Sequence, residues 1–149
     1  LARLFPDSRE EFRKNAYLLI GRIDEKMREW DTRLKPWRGI SVVTYHKNWS
    51  YFAKRFGFDV VGQLEPKPGI PPTPKHLAQL EKLMKEKGVK LVIRESYQEA
   101  GTPKKVAEKT GAKSIKLAQA VEETKEGRDY ISMMEENIRL IQEALSPSP

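Results

Sequence analysis

Cysteine is absent from this 149-residue chain. Its absence excludes disulfides, cysteine-ligated zinc and thiol catalysis, and leaves the compartment open. Long apolar runs are absent as well. Nothing approaches the roughly 20 apolar residues that cross a bilayer as a helix. The residues after Leu1 lack the basic-then-apolar pattern of a secretory leader, so the chain reads either as cytoplasmic or as one from which a leader was removed. Histidine is scarce: His46 and His76 are the two, and neither lies in an HxxxH or HxxEH spacing. There is no GxGxxG, no P-loop and no GxSxG. A phospho-receiver domain would carry acids after its early strands, and Tyr45-His46 stands there instead. No serine or threonine has a histidine base that spacing would nominate.

What remains is an ordinary globular balance, 38% hydrophobic and 33% charged, with enough length for one domain and its core. The formal net charge is +7. Such a charge permits nucleic-acid or anionic-membrane contact. The lysines are interleaved with acids, however, as in KLMKEKGVK (Lys82 to Lys90), which reads as a solvated helix face. A basic nucleic-acid-binding module is therefore the weaker alternative; Trp49 and Tyr51 could stack bases, but Trp49 belongs to an apolar stripe and reads as core.

The chain opens on a long helix. Ser8 and Glu11 fit a capping box, and Phe12, Tyr17, Leu19, Ile20, Ile23, Met27, Trp30 and Leu34 follow a helical period up to Pro36. Strands are expected at Ile40–Tyr45, Asp59–Leu64, Val89–Arg94 and Lys113–Ala118. Helices are expected over Asn48–Phe56, over Pro74–Lys87 (capped by Thr73, stopped by Gly88), from Thr102-Pro103 to near Gly111, and over Arg128–Leu145. The loop EPKPGIPPTP carries five prolines and is rigid; the terminal SPSP is expected to fray. This alternation predicts an α/β three-layer sandwich with a four-stranded, mostly parallel sheet in the order 2-1-3-4, plus the long N-terminal helix. Residues 1–38 are expected to form the long helix and 39–149 the α/β lobe, a single domain overall.

In such a sheet, ligands bind beyond the carboxyl ends of the strands. His46 follows strand one, Glu95 and Ser96 follow strand three, and Glu122 and Glu123 come a few residues after strand four. One imidazole and several carboxylates thus gather at one rim. An imidazole there can ligate a transition metal. Glu95 can ligate, orient the imidazole or cap a helix; on its residues alone a capping or surface role is favoured. His76 reads as solvent-facing, and EETKEGRD (Glu122 to Asp129) as a solvated loop.

The segments VVTYHKNWSYFAKRFGF, EPKPGIPPTP with its following HL, the acid after strand three, VAEKTGAK and DYISMMEENIRLI together resemble a known family over essentially the whole chain. They resemble the C-terminal lobe of the periplasmic zinc- and manganese-binding receptors of ABC importers. The resemblance implies a non-enzymatic protein that binds a metal between two lobes and delivers it to a membrane permease. It implies a periplasmic or extracytoplasmic location and no nucleic-acid partner. In the family, two histidines come from the N-terminal lobe; a histidine or glutamate follows the first strand of the C-terminal lobe, and an acid often follows its last strand. His46 matches the first of these C-terminal positions. Leu117 to Val121 contain no aspartate, so Glu122, the next acid, and Glu95, an acid of supporting role in the family, complete the candidate set His46, Glu95, Glu122. Imidazole in place of carboxylate favours zinc over manganese.

Nothing in the chain corresponds to the N-terminal lobe, so an incomplete site and an isolated or redesigned lobe are expected. Ser114 and Lys116 share one face of strand four, which fits an edge or a surface normally covered. An excised or designed scaffold with no metal function is the remaining alternative. The apolar stripe of the first helix is expected to fold back or to mediate a homodimer.

Overall fold

The computed structural model describes residues 1–67 and 69–147. The last two residues of the SPSP tail, and Pro68 in the proline-rich loop, lie outside the described residues. The chain divides into two compact units, Leu1–Thr32 and Arg33–Pro149.

The first unit is a short 3-10 turn, Pro6–Ser8, and most of helix α1, which runs Arg9–Leu34. α1 thus starts directly after Ser8, with the 3-10 turn leading into it. The rings of Phe5 and Phe12 meet edge-on at 6.3 Å between centroids. The Glu10–Arg13 and Lys26–Glu29 pairs are exposed i,i+3 contacts, each worth about 0.5 kcal/mol or less. Tyr17, Leu18, Leu19 and Ile20 are exposed.

The second unit carries the sheet. Its strands are β1 (Ser41–Thr44), β2 (Asp59–Gln63), β3 (Leu91–Glu95) and β4 (Lys113–Leu117), all parallel, in the expected order β2-β1-β3-β4. Its helices are α2 (Ser50–Phe56), α3 (Pro74–Lys87), α4 (Gly101–Thr110) and α5 (Tyr130–Leu145). Chain order and strand order together set the layers. From β1 the chain steps one way to β2; it then returns across β1 and continues the other way through β3 to β4. With right-handed crossovers, α2 falls on one face and α3 and α4 on the other. Leu80 and Met84 of α3 and Val106 and Ala107 of α4 accordingly share one core with Val43, Tyr45 and Val92. Strand alternation turns Val42, Leu91 and Ile93 to the opposite face, and these are equally buried. Burial on both faces is why β1 and β3 read as nearly unbroken apolar runs.

Local signals hold at several ends and fail at two. Thr73 accepts from the His76 amide at the start of α3, and Gly88 closes that helix at φ 59°, a conformation that favours glycine. The α4 cap differs from expectation. The helix begins one residue before Thr102, and the Glu99 carboxylate takes the amides of Gly101 (2.5 Å) and Thr102 (3.1 Å). A carboxylate can reach back over two orphan amides at once, which the Thr102 hydroxyl, already inside the helix, cannot do. At α5 the cap is Asp129, which forms a reciprocal capping box with Ser132. Tyr130 is exposed, and Met133 and Met134 fill the buried side with Ile138 and Ile141.

Two polar side chains fasten α5. Buried Asn137 accepts from the Ala118 amide (2.9 Å) and donates to the Ala118 carbonyl (2.8 Å), closing the end of β4. The Arg33 guanidinium donates to Gln142 Oε1 through Nε and Nη2, at 2.8 and 2.6 Å, and pairs with Glu135. The register of β1 against β2 shifts between Val42 and Val43, skipping Val61, so that Gly62 stands opposite Val43. A Cβ on Gly62 would come within 2.7 Å of Leu80 Cδ1, so α3 presses closely on β2.

Candidate metal centre

The strand order reverses between β1 and β3, and the loops leaving their carboxyl ends diverge there. That divergence opens the crevice where α/β sheets hold ligands. His46 stands at this point, two residues past β1, and Glu95 ends β3. His46 is 8% exposed. Its backbone carbonyl accepts from the Thr44 hydroxyl at 2.6 Å, and its ring lies edge-on to Tyr45 at 4.9 Å. Tyr45 in turn is tied to both neighbouring strands: its amide donates to Ile93 O and its carbonyl accepts from the Glu65 amide.

The two imidazole nitrogens have different partners. Nδ1 faces the Glu65 carbonyl at 3.4 Å; Nε2 faces the Gln98 side-chain nitrogen at 2.9 Å and Glu65 Oε2 at 3.9 Å. A backbone carbonyl at Nδ1 is the usual device that fixes a ligating histidine.

Glu95 is fully buried, contrary to the capping or surface role that its residues alone favoured. Its Oε1 accepts from the Trp49 indole and from Asn48 Nδ2, each at 3.2 Å, and its Oε2 has no partner among the described residues. α2 therefore starts at Ser50, because Asn48 and Trp49 are drawn into the rim instead of opening the helix. Glu122 is exposed, in a left-handed conformation at φ 66°. It is Glu123 that reaches the rim, accepting from the Ser96 hydroxyl (2.6 Å) and the Gln119 and Ala120 amides (3.0 and 3.2 Å). His76 is not solvent-facing as expected. It is half-buried, and its Nε2 donates to the Gln63 carbonyl at 2.9 Å, joining α3 to the end of β2.

Glu65, Gln98 and Asn48 also line the rim, without a motif to mark them. Glu65 was within reach of the same rule that selected His46, since it follows β2, the neighbour of β1. Glu65 is 8% exposed.

The rim is acidic in a chain of net charge +7. The Tyr45 hydroxyl titrates above its ordinary value, first because it is buried and then because Glu99, Glu65 and Glu95 are near. Burial and the charges of Glu95 and Glu123 likewise raise Tyr97, against a hydrogen bond with Asn48. At Glu99 burial pushes upward, but the Thr102 and Gly101 hydrogen bonds and the Arg94 charge outweigh it, leaving the carboxyl below its ordinary value.

Among the described residues, no three His, Asp or Glu side chains converge to hold an ion. Two ligands at roughly 2.0–2.2 Å from a tetrahedral zinc lie about 3.3–3.6 Å apart. The 3.9 Å between His46 Nε2 and Glu65 Oε2 comes within half an ångström of that span.

Residues 1–144 match the family model described as zinc-uptake complex component A, periplasmic. The chain is 26% identical to the zinc-binding protein AdcA of Streptococcus pyogenes serotype M1, over 95% of this chain and 28% of that protein. It is 26% identical to the high-affinity zinc uptake system protein ZnuA of Bacillus subtilis, over 94% and 45% respectively. Among solved structures, the laminin-binding protein Lmb of Streptococcus agalactiae, described as a bifunctional adhesin and metal transporter, superposes with a TM-score of 0.81 at 25% identity, over 97% of this chain and 56% of that one. The Mn2+ complex of FpvC from Pseudomonas aeruginosa shares the fold at 22% identity, with a TM-score of 0.79 over 97% of this chain and 55% of that one. The chain spans less than half the length of these curated relatives. It belongs to the family of periplasmic zinc-uptake component A proteins.

Proposed function

We propose that this chain is the metal-binding lobe of an ABC importer's substrate-binding protein, with zinc as its cargo. The observation that carries the reading is His46: a nearly buried imidazole at the switch point of the sheet, one nitrogen turned to a backbone carbonyl and the other to the rim. The acidic surroundings favour a cation, and the zinc-binding relatives support the choice of metal. Imidazole ligation leans the same way against manganese. No bond of a substrate is made or broken. The ion exchanges water for protein ligands, and the loaded protein docks on a membrane permease outside the cytoplasm.

His46 is the ligand this chain supplies, with Glu65 the acid nearest to completing a pair. Glu95 acts in support, holding Asn48 and Trp49 behind the histidine. Glu122 contributes to the charge of the outer loop. A four-ligand zinc site therefore needs donors from a second lobe, residues 1–38 serving as the link to it. Calorimetric zinc titration of the chain and of His46→Ala tests this. Weak binding that His46→Ala abolishes is expected; tight binding by the monomer, or binding indifferent to His46, contradicts it.

A further inference from the structure

The Nε2 lone pair of His46, the one facing the rim, is already taken. Gln98 Nε2 lies 2.9 Å from it. A carboxamide nitrogen only donates, so His46 Nε2 accepts and the ring proton stands on Nδ1, toward the Glu65 carbonyl. The contact thus does two things at once: it presents a bare Nε2 to the rim, and it occupies that nitrogen.

The backbone carrying Gln98 is held on both sides. Its amide donates to the Glu95 carbonyl at 3.2 Å. Its carbonyl accepts from Arg94 Nη1 at 2.9 Å, and the same nitrogen donates to the Glu95 carbonyl at 3.3 Å. Arg94 therefore clips the turn that leaves β3. On the far side, Glu99 locks the first amides of α4. Between these two fixed points, rotation of the half-buried Gln98 side chain is the remaining freedom.

We propose that Gln98 is the positioning and gating residue of His46. Without metal, its amide holds the imidazole with Nε2 bare and covers that nitrogen; an arriving zinc ion displaces the carboxamide, which turns toward solvent. One N–H···N hydrogen bond is exchanged for one metal–nitrogen bond. The ring keeps its Nδ1 proton throughout, so loading His46 needs no change of tautomer. This rests on the metal-binding reading above, with zinc as cargo.

Gating makes a prediction opposite to that of a purely structural contact: removing the amide tightens binding. A neutral hydrogen bond corresponds to roughly three- to tenfold in an equilibrium constant. Gln98→Ala, and Gln98→Met as the variant that keeps the side-chain volume, are therefore expected to bind zinc about three- to tenfold more tightly than the parent chain. Imidazole 15N spectra of the metal-free parent are expected to show His46 protonated at Nδ1, with Nε2 accepting a hydrogen bond. A proton on His46 Nε2, or zinc binding unchanged or weakened in both variants, overturns the proposal while leaving the metal site standing. Zinc that fails to move the His46 ring in the parent and in both variants overturns the metal reading, and the gate with it.

Discussion

The Trp49 indole donates to Glu95 Oε1 across 3.2 Å, joining the residue before α2 to the last residue of β3. Trp49 is 5% exposed and Glu95 is wholly buried, so the bond lies beneath the rim that carries His46. Asn48 shares the same oxygen. Glu95→Ala leaves the indole N–H buried without an acceptor, which costs about 1–3 kcal/mol beyond the packing lost. Glu95→Gln keeps an acceptor oxygen and is expected to cost less than Glu95→Ala by at least about 1 kcal/mol. Urea unfolding of the two variants checks this; equal costs contradict it.

Asn137 makes a two-way bond with the Ala118 backbone, and both groups are buried. Asn137→Leu leaves one amide and one carbonyl unpaired at the end of β4. A loss of about 2–4 kcal/mol is expected in chemical denaturation, against less than about 0.5 kcal/mol for a surface change such as Lys105→Ala.

Glu99 adds a pH dependence. Its folded carboxyl sits below its ordinary value near 4.5, where burial is outweighed by the α4 amides and Arg94. The stabilisation is thus complete above that ordinary value and disappears as pH falls through the lower folded one. Glu99→Gln, a poorer cap, is expected to lose about 1 kcal/mol near neutrality and to show a shallower acid limb below pH about 4.5. Parallel acid limbs in parent and variant contradict the cap.

The strands, their order and most helix ends were legible because each rests on local pattern. β-branched runs mark β1 to β3, Thr73-Pro74 and Gly88 bracket α3, and the alternation of elements leaves few sheet orders. The rim was most legible where a residue follows its strand closely. His46 does so, and so does Glu65, although the prolines that follow it mark its stretch as a loop. Glu95 hid its burial because a lone carboxylate is solvated unless something covers it, and its cover, Trp49 and Asn48, comes from 46 and 47 residues away in sequence. The His76 bond to Gln63 and the Glu99 cap depend on where loops return, which no short-range pattern encodes. Glu122 and Glu123 are adjacent, and the left-handed turn at Glu122 decides which of them faces Ser96.

Tyr17, Leu18, Leu19 and Ile20 are exposed on α1, and an exposed apolar helix segment invites a second copy of the chain. Light scattering of the chain is expected to detect a concentration-dependent dimer that Leu19→Lys with Ile20→Glu disperses, with stability of the α/β unit changed by less than about 0.5 kcal/mol. A monomer at every concentration contradicts homodimer formation through α1.

The central claim is that His46 Nε2 takes the metal, and the chain's other histidine, His76, which donates to the Gln63 carbonyl, serves as the comparison. Imidazole 15N NMR during a zinc titration reads both rings at once. The account predicts that zinc shifts the His46 Nε2 resonance and leaves His76 in place. A titration in which His76 responds, or in which neither ring does, contradicts it.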